Sequence, residues 1–281
     1  MQGLKIGDWI RRNGFSAIGI GLALLVIAGS LLAPVLAPTA PDAQDLDTGL
    51  TLPSFKHLLG TDQLGRDILS RVMWAGRISI TITAIVLLLS LILGGSMGML
   101  AGYLGGWTDQ VCMRLVDLLL SVPTFILALA LIGALGLGLQ NLVLALAVSS
   151  FPAYARLVRS QVLAIKHREF ILAAEALGGG ALYVLSRHYL PAIMGAVMVQ
   201  LSLNAGTVIL AIAGLSFIGL GVQPPLPEWG AMLVDARPFM QVAPHLVLAP
   251  GLAILFTVFG FNALGEALES WLDPRRHNRV N

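Results

Sequence analysis

The chain has 281 residues, of which 57% are hydrophobic and 11% charged, with a mean hydropathy of +0.84. Soluble domains carry about 25% charged residues, so the composition excludes an ordinary soluble protein and gives an integral membrane one. A net charge of +2 argues against nucleic acid as a partner, and the single cysteine, Cys112, excludes an intramolecular disulfide or a cysteine-built metal site and reads as a small buried hydrophobe.

Six apolar segments fall at about 16–37, 79–104, 118–136, 140–157, 192–213 and 246–265. All are expected to be helices, because in lipid the backbone must satisfy its own hydrogen bonds and no segment alternates like a barrel strand. The expectation is an all-α integral membrane chain of one domain. The first segment is too long for a signal-peptide core and reads as a retained span, with cleavage near Ala37 the alternative.

Between the first two segments, Thr61 or Asp62 is expected to cap a short interfacial helix carrying Leu64, Ile68, Leu69 and Val72, with Trp74 at the membrane surface. In the second segment Gly94, Gly98 and Gly102 repeat at four-residue spacing, which permits close helix approach. Pro123, Pro152 and Pro250 fall within segments and predict kinks. The fifth segment places Gln200, Asn204 and Thr207 on one helical face, either lining a polar solute path or bonding to neighbouring helices. From Gly214 to His245 the chain is rich in Gly and Pro yet apolar. It is expected to fold back on the bundle or pack on a partner, with Trp229 and Phe239 near the interface.

Lys and Arg orient the chain. With the amino terminus cytoplasmic, twelve lie inside, among them Lys5, Arg11, Arg12, Arg156, Arg159, Lys166, Arg275, Arg276 and Arg279. Five lie outside: Lys56, Arg66, Arg71, Arg77 and Arg237. Both termini are therefore expected in the cytoplasm.

Phosphate-binding GxxxxGK[ST], HExxH and GxSxG motifs are absent, and the five histidines show no ligand spacing, so neither catalytic residues nor a metal site are expected. No Asp, Glu, Lys or Arg interrupts the interior of the spans, where a secondary transporter usually keeps the carboxylates of its coupling ion. Between the fourth and fifth segments lies a basic stretch, Arg156 to Pro191. Phe170, Ala173, Ala174 and Leu177 recur there at helical spacing, Gly178–Gly180 form a hinge, and Ala181–Tyr189 are expected to make a second short helix. Without a fuel site or coupling-ion carboxylates, such a loop points to energy delivered mechanically by another protein.

The run AAEALGGGALYVLSRHYLP resembles the EAA loop of bacterial ABC importer permeases. Ala173, Ala174, Gly178, Leu190 and Pro191 match the pattern, while Leu172 stands where the family has Glu and His188 where it has Ile. LGTDQLGRDILSR at 59–71, GGWTDQVCMRLVDLLLSVP at 105–123, AGLSFIGLGVQPPLPEWGAML at 213–233 and FNALGEALESWLDP at 261–274 are similar to the second permease subunit of dipeptide, oligopeptide and nickel importers.

This resemblance implies a type I ABC importer permease fold with a transmembrane domain over 77–266. Residues 1–76 would hold the amino terminus, first span and outer loop, and 267–281 a cytoplasmic tail. The implied partners are a related permease subunit in a heterodimer, two ATP-binding subunits that hold the ATP, an extracytoplasmic solute-binding protein and membrane lipid. Ala173, Ala174, Gly178, Leu190 and Pro191 would contact an ATPase, with Glu175 or Glu169 compensating for Leu172. Short peptides are the first expected cargo and nickel or a metal chelate the second. A stand-alone channel or secondary transporter is the reading of another class.

Overall fold

The computed structural model describes residues 14–272, so the terminal charges Lys5, Arg11, Arg12, Arg275, Arg276 and Arg279 lie outside the described residues. Among the described residues the principal helices are α1 Gly14–Leu31, α2 Ile68–Leu104, α3 Gly106–Leu120, α4 Thr124–Leu135, α5 Leu139–Ile165, α6 Glu169–Ala176, α7 Ala181–Val184, α8 Leu190–Phe217, α9 Trp229–Ala236 and α10 His245–Leu272, with a single extra turn at Ala33–Leu36 after α1. Among the described residues five helices are long and apolar enough to cross a membrane, and α3 with α4 bring the number to six when the bent pair is counted as one span.

That break corrects the expected third span. The axes of α3 and α4 meet at 89°. Pro123 has no N–H to continue α3 and pushes Val122 away from helical geometry; its own extended conformation then starts α4. Pro152 and Pro250 instead stay inside α5 and α10, both buried among neighbouring helices.

Helix α2 starts eleven residues before the apolar segment predicted for it and is about 55 Å long. The expected capping by Thr61 or Asp62 is replaced by Asp67, whose carboxylate accepts from Ser70 N at 2.8 Å and is held by His57 Nδ1 at 3.0 Å. Asp62 instead closes its own turn, accepting from the backbone N–H groups of Leu64 and Arg66. The charge that concealed this early start is neutralised in place. Arg71 is buried between Asp62 at 3.6 Å and Asp235 at 3.5 Å, and Arg66 bonds Asp62 at 2.6 Å.

The main seam joins α2 to α5. A β-carbon at Gly94 would collide with the Phe151 carbonyl, one at Gly98 with the Ala155 carbonyl, and one at Gly102 with Val162. Gly95, on the other side of α2, meets only Leu91 of its own helix. Around this seam α8 packs on α10 and α10 on α1.

The 214–245 segment folds back on the bundle. Trp229 is fully buried, not interfacial as expected, because its indole N–H finds the Val72 carbonyl at 3.0 Å. Buried Glu228 caps α9 through Ala231 N and accepts from Ser79 Oγ at 3.1 Å. Phe239 is half-buried against the same apolar cluster.

Candidate functional site: the loop between α5 and α8

The loop hangs from one end of the bundle, where α2 and α5 finish. Lys166, just beyond α5, donates from Nζ to the carbonyls of Gly102 and Tyr103, at 3.2 and 2.6 Å, satisfying the last turn of α2. Arg159 forks onto both carboxylate oxygens of Asp109 in α3, and Arg156 meets Asp117 at 2.7 Å. The loop's base is thus tied to α2, α3 and α5 together.

From this base α6 runs with Ile171 and Ala174 turned inward onto Val158, Val162, Val184 and Tyr189. The expectation that Ala173 and Ala174 share one contact face is corrected in part: Ala174 is buried, while Ala173, Phe170, Leu172 and Leu177 are exposed. Glu169 and Glu175 are exposed beside them.

The hinge is a complete C-terminal cap. Gly178 adopts φ +82°, its N–H donates to the Glu175 carbonyl, and Gly179 N–H reaches the Ala174 carbonyl, both at 3.0 Å. No neighbour crowds Gly178, so its requirement is conformational.

Helix α7 does not stand apart as a second short helix. It passes through one wide turn, Leu185–Tyr189, directly into α8. Pro191 cannot donate an N–H, and Leu190 N–H bonds back five residues to Leu185 instead. Leu190 and Pro191 are exposed at this junction, and His188 lies against Phe170 and Tyr183.

The loop therefore presents exposed apolar side chains at the end of the bundle where α2 and α5 finish. Leu177 is 89% and Leu182 82% exposed, with Tyr183 and Phe170 beside them. Leu182, Tyr183 and the Lys166 clamp escaped the sequence reading. Exposure of an apolar residue, and a bond to a carbonyl 63 residues away, leave no local pattern.

Deeper in the bundle, Gln200 Nε2 donates to Asn204 Oδ1 at 3.3 Å, and Thr207 donates to its own helix at Leu203. Gln200 and Asn204 are half-buried and Thr207 is exposed. Tyr154 of α5 is fully buried, and its hydroxyl has no hydrogen-bond partner among the described residues.

A bundle of apolar helices with a loop tied to one end of it is the architecture of a membrane-spanning subunit. Residues 94–278 match the family described as binding-protein-dependent transport system inner membrane component, and the chain belongs to that family, whose members are transport subunits and not enzymes. The fold is that of a type I ABC importer permease. The chain is 43% identical over 261 residues to the glutathione transport system permease protein GsiD of Pectobacterium atrosepticum, covering 92% of this chain and 87% of that one. It is 38% identical over 266 residues to the dipeptide transport system permease protein DppC of Alkalihalophilus pseudofirmus, covering 95% and 88%. To GsiD of Escherichia coli it is 42% identical over 266 residues, covering 94% and 88%. An inner-membrane permease of this family works with ATPase and binding-protein partners.

Proposed function

We propose that this chain forms half of the membrane pathway of an ATP-driven importer of short peptides. It pairs with a related permease subunit and receives its stroke from two ATPase subunits, which hold the ATP. The observation that carries this reading is the exposed apolar face of α6 and α7 on an anchored support. Helix α5 enters that loop and α8 leaves it without a break, so displacement of the loop moves two spans at once. Loaded binding protein on one side and ATP on the other then bias the same equilibrium between accessible states. The Lys and Arg excess near the loop end supports cytoplasmic termini. Gln200, Asn204 and Thr207 are the proposed lining of the path.

Peptide cargo is supported by relatives named for dipeptide and glutathione transport, a dipeptide and a tripeptide sharing amide, amine and carboxylate groups. Uptake of labelled dipeptide, glutathione and nickel into cells carrying the intact operon's products tests it. Peptide uptake that requires this chain is expected. Nickel uptake with no peptide uptake would contradict the cargo and leave the permease role standing.

A further inference from the structure

At the end of the bundle remote from the coupling loop lies a groove of about 630 Å³ between the first turns of α2 and α5 and the Pro225–Pro227 segment. Its lining changes character with depth. The mouth carries Asp42, Trp74 and Arg77, with the Arg77 guanidinium 5.5 Å from the centre of the Trp74 ring. Further along the same helix come Ile78, Thr81, Ile82 and Ile85, and Val143 of α5 lines the groove with them. Arg77 and Ile85 are eight residues apart on one helix, a descent of about 12 Å.

We infer that this groove holds a phospholipid with a zwitterionic, amine-bearing headgroup, of the phosphatidylethanolamine type. The phosphate pairs with Arg77, the ammonium with Asp42, and one acyl chain runs down the isoleucines. Charged and aromatic groups at the boundary with hydrocarbon beneath are the arrangement that anchors at a membrane surface use. A phosphate accepts charge-assisted bonds from a guanidinium, and Asp42 supplies the opposite charge that an anionic headgroup lacking an amine would meet unfavourably.

A helix of the second permease is the competing occupant, and the lining argues against it. Helices in lipid approach one another over small residues, as α2 does on α5 through Gly94, Gly98 and Gly102. Of the small residues such contacts use, the groove's lining contains only Thr81. A helix seated there would also remove Arg77 and Asp42 from water, whereas a headgroup leaves them at the surface.

Native mass spectrometry of the assembled transporter in detergent, titrated with phosphatidylethanolamine or phosphatidylglycerol, tests the assignment. One phosphatidylethanolamine should be retained in preference to phosphatidylglycerol. Arg77→Gln should weaken its retention about tenfold, the loss of one charge-assisted bond. Ile85→Trp, which fills the groove on an exposed face, should displace the lipid with Arg77 intact. Equal retention of both headgroups, unchanged retention in both variants, or a cross-link from position 85 to the second permease would each overturn the assignment.

Discussion

Gly178 is the residue on which the loop's shape turns. At φ +82° any side chain carries a backbone penalty of about 1–3 kcal/mol, and the two capping bonds to Ala174 and Glu175 depend on that conformation. In an assembled transporter, Gly178→Leu is expected to abolish most stimulation of ATP hydrolysis by loaded binding protein, while Gly178→Asn, which tolerates positive φ, keeps part of it. Wild-type stimulation in the Leu variant would refute the hinge role. Asp67 matters for a different reason, since one carboxylate caps α2 and holds His57. Asp67→Ala should lower stability by about 1–2 kcal/mol, read as a drop in the thermal midpoint of the solubilised protein; an unchanged midpoint would remove Asp67 from the α2 cap. At this scale the sequence is a partial guide. A triple glycine after a helical pattern announces a stop, whereas three acceptable caps, Thr61, Asp62 and Asp67, stand within seven residues. Only the tertiary position of His57 and Arg66 selects among them.

Among the elements, the long apolar helices are legible because a run of eighteen or more apolar residues is stable as a span through hydrocarbon and would be poorly soluble elsewhere. Their ends are not. Arg71 and Arg77 depress hydropathy over the first turns of α2, yet Arg71 is compensated by Asp62 and Asp235, residues that a sequence does not pair with it. The sequence signals the right-angled break at Ser121–Pro123 only as a kink within one span, because proline fixes where a helix fails without fixing the direction of the next helix. Cys112, expected to be buried, is half-buried on α3. The α2–α5 seam makes a sharp prediction. Gly98→Leu should drive the side chain into the Ala155 carbonyl and sharply reduce the yield of folded protein, while Gly95→Leu, on the open side of α2, should leave yield and thermal midpoint near wild type. Equal tolerance of both, measured by size-exclusion profile and thermal unfolding, would contradict glycine-mediated packing.

For the whole molecule, family membership gives a permease that works with ATPase and binding-protein partners. The means by which the stroke is carried is hidden in the sequence. Lys166 clamps α2, Arg159 holds α3, and α7 continues into α8, so the loop is braced against the bundle. These bonds span from 50 to 64 residues and become visible only once the helices are placed side by side. The central claim is that solute crosses only when ATPase subunits act on this braced loop. Proteoliposomes containing this chain with its second permease, with and without the ATPase subunits, and with loaded binding protein on the outer side, test it most directly. Uptake should require the ATPase subunits and ATP and should fall to background with Gly178→Leu. Uptake of the same solute by the permease pair alone would contradict it.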